Sequence, residues 1–341
     1  MVVGLDALVE AGDPDEVLRE VDRRCATRDW AGLVELRDRC RLAVERGKQL
    51  WGAAAHAEYR LALEAPSEVA ALVVTTAPPA ALGPGPLPEV LASSHEWEAL
   101  APWLGDGPER GAVAYECVVR GADLEDDIGM ARYRDAFELP LALQAWEPAY
   151  ALAEYRADGG RFPRPPLAVI DRDELPAPRG VVERSRVAPE GLDALRLLVS
   201  SWVDGSEGRA TMVAVEGGLT EAAGAIGAEG AVERIAPADA LALLAWVGAS
   251  GGAHGRRAGA AAGRAKAWWA AACMAGIEGS WPCDPRQVGD VVNELEWWTW
   301  GGAWSTEGFR VQMVVVDPAD GVAFGFDAQD AADPGVVDPS G

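Results

Sequence analysis

The segment from Ala240 to Ile277 combines several cations with a complete absence of acidic residues. The Gly251-Gly252 pair lies within it, and backbone N–H groups at a helix start bind anions. We therefore predict a site for a phosphate, a carboxylate or an acidic protein surface. The alternative is that these cations pair with the protein's own carboxylates. The side chains assigned to this anion site are Arg256, Arg257, Arg264, Lys266 and His254.

A second candidate is the tryptophan-rich segment 294–304. If it forms a strand, Glu296, Trp298 and Trp300 share one face. Acidic groups beside aromatic rings are typical of sugar sites, because the rings stack on pyranose faces and the carboxylates bind hydroxyl groups. This pattern predicts a glycan-binding site. The alternative is that the tryptophans pack in a core, since tryptophan is common in strands.

No motif in the chain completes a catalytic or metal-binding constellation. His56, His95 and His254 are far apart in sequence and have no Cys or Asp at metal-ligand spacing. The nucleophile motif GxSxG and the phosphate-binding motifs GxxxxGK[ST] and GxGxxG are also missing. We predict no catalytic residue, no metal and no cofactor, and the sequence leaves enzymatic activity open.

Small residues recur at every fourth position after Ser250. Glycine costs about 1 kcal/mol relative to alanine inside a helix, so four glycines in register indicate that their small size is needed. We expect one helix over 251–277 whose small-residue face allows another backbone to approach closely, either within the domain or in a second copy. The residues assigned to this helix-packing face are Gly251, Gly255, Gly259 and Gly263, followed by Ala267, Ala271 and Ala275.

The elements that position these residues fall into two parts. Residues 1–157 have helical periodicity, with Asp13 and Asp29 as helix caps. This predicts an irregular helical array, bundle-like or solenoid-like, with later helices at 94–104, 108–120 and 141–156.

The sequence pattern of the second part of the chain predicts strands mixed with helices. A proline-rich linker is expected at 158–189, an α+β domain at 190–329 and a disordered acidic tail at 330–341. Alternating apolar residues at 309–315 and 322–326, joined by an Asp-Pro-Ala-Asp-Gly turn, predict a C-terminal β-hairpin. The fold class is therefore α+β, a helical array followed by a mixed α/β domain.

The composition excludes several function classes. The 341 residues include 54 acidic and 30 basic side chains, which gives a formal charge of -24. Such a charge disfavours binding to nucleic acid and to anionic membranes. The chain shows no signal-peptide pattern and no apolar run of about 20 residues, so we expect a cytoplasmic protein.

These features favour a non-enzymatic cytoplasmic binding or assembly protein. It would act through the Gly/Ala helix and the adjacent cations, on a protein partner or a second copy of itself. One alternative is an enzyme or small-molecule binder that recognises an anionic or glycan ligand at an interdomain cleft. Another is an acidic antagonist that mimics nucleic acid.

Overall fold

A computed structural model describes residues 4–76, 83–175, 188–300 and 309–330. The chain divides into two compact units, one of residues 1–136 with 153–162, the other of residues 137–152 with 163–341. The boundaries expected at 157 and 189 differ from this division, because residues 137–152 and 163–175 belong to the second unit. The part of the expected tail after Asp330 lies outside the described residues.

The first unit is built almost entirely of short helices. The side chain of Asp13 caps the helix Pro14–Thr27 by accepting hydrogen bonds from the N–H groups of Asp15 and Glu16, and the Asp29 side chain caps the helix Trp30–Glu45 by accepting from the N–H of Gly32. The helices of the first unit are α1 (Leu5–Ala11), α2 (Pro14–Thr27), α3 (Trp30–Glu45), α4 (Trp51–Glu64), α5 (Ser67–Thr76), α6 (Leu87–Ser94), α7 (Trp97–Leu100) and α8 (Pro108–Val119). They are followed by a 3-10 helix at Ile128–Ala136 and by the paired strands β1 (Glu154–Arg156) and β2 (Gly159–Arg161).

The helix expected at 141–156 is wrong. Residues 141–153 have no regular secondary structure, and Glu154–Arg156 forms strand β1. Pro148 lies in the middle of the expected helix, where it lacks a backbone donor and its ring clashes with the preceding turn.

The second unit contains a six-stranded antiparallel sheet with the order β3-β5-β6-β7-β8-β4. Its elements are β3 (Val169–Glu174), α9 (Pro189–Val203), β4 (Arg209–Glu216), α10 (Leu219–Ile226), β5 (Ala231–Ile235), α11 (Pro237–Ala249), α12 (Ala260–Met274), a 3-10 turn at Glu278–Ser280, α13 (Pro285–Glu294), β6 (Glu296–Trp300), β7 (Phe309–Asp317) and β8 (Val322–Asp330).

Helices cover both faces of this sheet. On one face, Val314 and Ala323 pack in a core with Ala222 of α10. On the other face, the Phe324 ring lies so close to Gly191 of α9 that an added Cβ would be 2.5 Å from it. The hairpin β7–β8 pairs Asp317 with Val322 at the predicted turn. The α+β class predicted from the sequence is confirmed, with a helical first part and a terminal strand pair.

The long Gly/Ala helix expected at 251–277 is wrong in its first third. Helix α12 begins only at Ala260, Gly251 and Gly255 lie in the preceding loop, and Gly259 is the N-cap with φ of 99°. The helix cost of each glycine, about 1 kcal/mol, explains why the loop is preferred there. Gly263 is inside α12 and packs closely on α11, since an added Cβ would lie 2.9 Å from the backbone nitrogen of Ala249.

No described helix combines the length and the apolar character that crossing a bilayer requires.

Candidate functional site

The structure distributes the five cationic residues over two elements. Arg264 and Lys266 are on α12, whereas His254, Arg256 and Arg257 belong to the loop between α11 and α12. The predicted site needs all five side chains to converge on one anion. Arg264 instead pairs with Glu147 and Lys266 lines a separate pocket, so the structure does not bring Arg264 into the predicted five-residue site.

Arg264 is committed to a buried ion pair. Its Nε and Nη2 atoms donate to the Glu147 carboxylate at 2.8 and 2.7 Å, and both side chains are 0% exposed. The guanidinium also donates to the carbonyl oxygens of Pro140 and Ala142. Burial lowers the pKa of Arg264, but its bonds to Glu147 outweigh this effect and raise the pKa above its ordinary value. Arg264 therefore has a structural role and is not available to an external anion.

One backbone N–H group of the loop before α12 binds a carboxylate, and that carboxylate is the protein's own. The N–H of Ala253 donates to Asp330 Oδ2 at 2.6 Å. The neighbouring N–H of His254 donates to the Ser206 hydroxyl at 3.1 Å. Asp330, the last residue of β8, is 1% exposed. The glycine-rich loop thus gives one N–H donor to Asp330, a carboxylate of the protein itself, and the external anion expected from the sequence stays a prediction.

Lys266 lines a separate cavity of about 190 Å³ in the second unit. Leu197 is 48% exposed, so the cavity opens to solvent on its side. The Trp269 and Trp281 rings meet edge to face with centroids 5.1 Å apart. The cavity is lined by Phe137, Leu197, Ala265, Lys266, Trp269 and Trp281.

Three elements fix the positions of these side chains. Helix α12 presents Lys266 and Trp269 within one turn, and the stem of Lys266 lies against Gly248 of α11. The Trp281 Nε1 atom donates to Glu138 Oε2 at 2.7 Å, which holds that ring in place. The pocket walls are therefore fixed by contacts within the second unit.

The electrostatic environment of Lys266 is unusual for this acidic protein. Among the described residues, no carboxylate lies within ion-pair distance of its ammonium group. Burial against apolar side chains lowers the pKa of Lys266 from its ordinary value. The other lysine, Lys48, has its Nζ atom 3.1 Å from Glu10 Oε2. Lys266 therefore lines an apolar, aromatic space, and its ammonium group has no ion-pair partner among the described residues.

The glycan site expected at Glu296, Trp298 and Trp300 is wrong. Trp298 and Trp300 share one face of β6, but they are 8% and 5% exposed and pack in the sheet core. Glu296 lies 3.3 Å from the guanidinium of Arg234, which also lies over the Trp298 ring. A sugar ring cannot stack on faces that are already covered by the protein's own side chains.

The first unit contains a larger groove of about 580 Å³ between α2 and α4. Trp51 is 52% exposed on it, and His56 lies with its Nε2 atom 3.8 Å from Asp22. Burial lowers the pKa of His56, and the positive charge of Arg60 acts in the same direction. The groove can accommodate an apolar group beside a neutral imidazole. Its lining residues are Pro14, Leu18, Asp22, Gln49, Trp51, Gly52, Ala53 and His56.

Several residues of the pocket and the ion pair were not predicted from the sequence. Glu147 lies 117 positions before Arg264, and no local pattern links the two. The position of Trp269 beside Lys266 could have been predicted, because a residue three positions after Lys266 lies on the same helix face. Phe137 and Trp281 come from irregular segments, where periodicity gives no direction for a side chain.

No group of three or more His, Cys, Asp and Glu side chains that could hold a metal ion exists in the described ranges. Comparison with curated proteins and with solved structures gives no significant match. One protein-family model matches residues 15–331, which is most of the chain. By that match the chain belongs to DUF6183, a family of unknown function.

Proposed function

We propose that this protein is a binding protein that holds a small aromatic carboxylate in the Lys266 pocket. The observation that supports this proposal is that Lys266, whose ammonium group makes no ion pair among the described residues, is one of the residues lining an aromatic cavity of about 190 Å³. The proposal keeps the binding function and the anionic ligand inferred from the sequence. It moves the site from an interdomain cleft to a pocket whose residues all belong to the second unit.

The size of the cavity supports a ligand with one aromatic ring. A protein cavity of about 150 Å³ holds a benzene molecule, so 190 Å³ accommodates a ring with one small substituent. Trp269, Trp281 and Phe137 offer ring faces and edges, and aromatic pairs in these arrangements contribute about 0.5–1.5 kcal/mol beyond area burial.

The charge of Lys266 supports a carboxylate as the substituent. A hydrogen bond to a charged group contributes about 1.5–3 kcal/mol, which corresponds to roughly 10- to 100-fold in affinity. A bound carboxylate would also neutralise an ammonium group that burial otherwise penalises. Phosphate is a poorer fit, because it has no apolar part for the aromatic walls.

The experiment is isothermal titration calorimetry with benzoate, and with neutral benzyl alcohol as the comparison ligand. Lys266→Met keeps an unbranched apolar side chain but removes the charge, so it should weaken benzoate binding by about 10-fold or more. Benzyl alcohol binding should change little. Lys48→Met is the matched control, since it removes the other lysine, which pairs with Glu10 in the first unit, and should bind benzoate like the wild type.

Equal benzoate affinity in the Lys266→Met and Lys48→Met variants would contradict the proposal. The lack of any benzoate binding by the wild-type protein would contradict it as well. Circular dichroism of each variant distinguishes a lost contact from a lost fold.

A further inference from the structure

We infer that the groove between α2 and α4 is a carbohydrate site that binds a pyranose sugar against Trp51. Every residue that lines this groove belongs to the first unit, so the site is separate from the Lys266 pocket. The inference therefore goes beyond the proposed function and does not depend on it.

Two helices form the walls of the groove by presenting residues at helical spacing. On α2, Pro14, Leu18 and Asp22 follow one another at intervals of four positions and lie on one helix face. On α4, Gly52 and His56 repeat that interval. The space above Gly52 is open, since an added Cβ would have no atom within 4 Å. The groove volume of about 580 Å³ lies within the range of about 300–1,000 Å³ that small-molecule sites occupy.

Trp51 supplies the surface on which a sugar ring would stack. It is 52% exposed at the start of α4. Among the described residues, its ring contacts no other aromatic ring and no cation, and its Nε1 atom donates no hydrogen bond. The indole rings of Trp298 and Trp300, in contrast, are packed in the sheet core. Trp51 therefore has an apolar surface available for the C–H face of a pyranose.

The polar side chains of the groove include both hydrogen-bond donors and acceptors. Asp22 Oδ1 accepts from Arg60 and lies 3.8 Å from His56 Nε2, so the polar groups of the two helices meet here. The side chains of Asp22 and His56 are 61% and 28% exposed, and a ligand can reach both. Asp22 Oδ2 and the Gln49 amide have no partner within the described ranges. Burial lowers the pKa of His56, so its neutral ring keeps one donor and one acceptor nitrogen.

This combination favours a neutral polyol over a charged ligand. Each sugar hydroxyl group both donates and accepts, so hydroxyl groups can bind the Gln49 amide and the Asp22 carboxylate together. An anion would be repelled by Asp22, whose partner Arg60 is already shared with Glu64. A cation would leave the donors of Gln49 and Trp51 unused, and Arg60 already neutralises the carboxylate that a cation needs. The groove therefore fits a pyranose better than an ion.

The experiment screens the full chain on a glycan microarray that presents the common pyranoses. We expect binding to at least one of them, and that sugar is then titrated as its methyl glycoside by isothermal titration calorimetry. Trp51→Ala should weaken its affinity about tenfold or more, because the substitution removes the ring face and its apolar contact. Trp51→Phe keeps a ring and should retain part of the affinity. Gln49→Ala should weaken the affinity roughly threefold to tenfold by removing one hydrogen-bonding group.

Trp103 offers a matched control for Trp51. It is 54% exposed in the first unit but does not line the groove, so Trp103→Ala should bind the sugar like the wild type. Circular dichroism of each variant identifies a lost fold. If Trp51→Ala does not fold, Gln49→Ala decides the question, because that exposed side chain makes no hydrogen bond within the described ranges.

Three results would overturn the inference. The first is the absence of binding to every pyranose on the microarray, and the second is equal sugar affinity of Trp51→Ala and Trp103→Ala. The third is Trp51-dependent binding of tetramethylammonium without sugar binding, which would assign the groove to a cation. Benzoate titration keeps the two sites distinguishable. Lost sugar binding with intact benzoate binding overturns this inference alone, and Trp51-dependent sugar binding without benzoate binding overturns only the proposed function.

Discussion

Substitution at the Arg264–Glu147 ion pair should lower the unfolding free energy of the second unit more than substitution at any other ion pair described here. We consider Arg264→Met, which removes the charge at a position that is 0% exposed. The substitution deletes two hydrogen bonds to Glu147 and two to the carbonyl oxygens of Pro140 and Ala142. The Glu147 carboxylate stays buried and keeps its bonds from Trp268 Nε1, at 3.0 Å, from the backbone N–H of Gln144, at 2.9 Å, and from the Tyr150 hydroxyl.

The expected loss of unfolding free energy follows from these lost and remaining hydrogen bonds. Removing one partner of a buried ion pair costs about 3–5 kcal/mol, because an uncompensated charge remains. The double substitution Arg264→Met with Glu147→Gln should cost about 1–2 kcal/mol less than Arg264→Met alone. The neutral amide oxygen still accepts from Trp268 and Tyr150 at the Oε2 position, and no buried charge is left, although the Gln144 N–H loses its acceptor at the Oε1 position.

The assay is guanidinium unfolding followed by circular dichroism and tryptophan fluorescence. A chain of two compact units can unfold in two steps, and then only the step of the second unit should shift. Arg196→Met is the matched control, since Arg196 and Asp193 form a pair whose side chains are 61% and 72% exposed. An exposed pair contributes little, so this control should cost less than about 0.5 kcal/mol. Equal effects of Arg264→Met and Arg196→Met would refute the reasoning.

Two further predictions concern the α11–α12 contact and the pocket. Gly263→Ala should destabilise the protein by about 1–2 kcal/mol, because overpacking against the Ala249 backbone outweighs the gain in helix propensity. Gly52→Ala, on an open surface of α4, should stabilise it by about 0.5 kcal/mol; thermal unfolding compares the two, and stabilisation of both would contradict the contact. Benzoate affinity should stay constant while the pH is well below the lowered pKa of Lys266, and it should fall as the pH rises through that pKa. The reason is that only the ammonium form of Lys266 pairs with a carboxylate. Calorimetry against pH tests this, and a flat profile up to the ordinary lysine pKa would contradict it.

The fold was predictable wherever a local rule determined it. The capping residue Asp13 and the hairpin turn at Asp317–Gly321 depend on neighbours within a few positions, and both lie where the sequence placed them. The glycine repeat was misleading because spacing alone does not distinguish a helix face from a loop. Close backbone approach occurs in both, as Gly255 near the Ser201 carbonyl and Gly263 on α11 demonstrate.

The candidate site was predictable only in part, for a different physical reason. The sequence marked Lys266 as one of several cations, but its significance depends on which carboxylates reach each cation. Those carboxylates come from distant positions, and no pattern within α12 encodes them. The same limit applies to the tryptophans of β6. Their alternation along the strand could be predicted from the sequence, but the residues that pack on their faces could not.

The acid-free segment 240–277 has a physical explanation once these partners are known. Two acidic residues from outside the segment bind groups within it. Glu147 neutralises Arg264, and Asp330 accepts a hydrogen bond from the loop N–H of Ala253. Lys266 receives no such partner among the described residues, although the protein carries a charge of -24. In an acidic protein an unneutralised, half-buried lysine has a cost in stability. A ligand that supplies a negative charge would offset that cost, and for this reason we propose Lys266, and not the arginines of the same segment, as the ligand-binding residue.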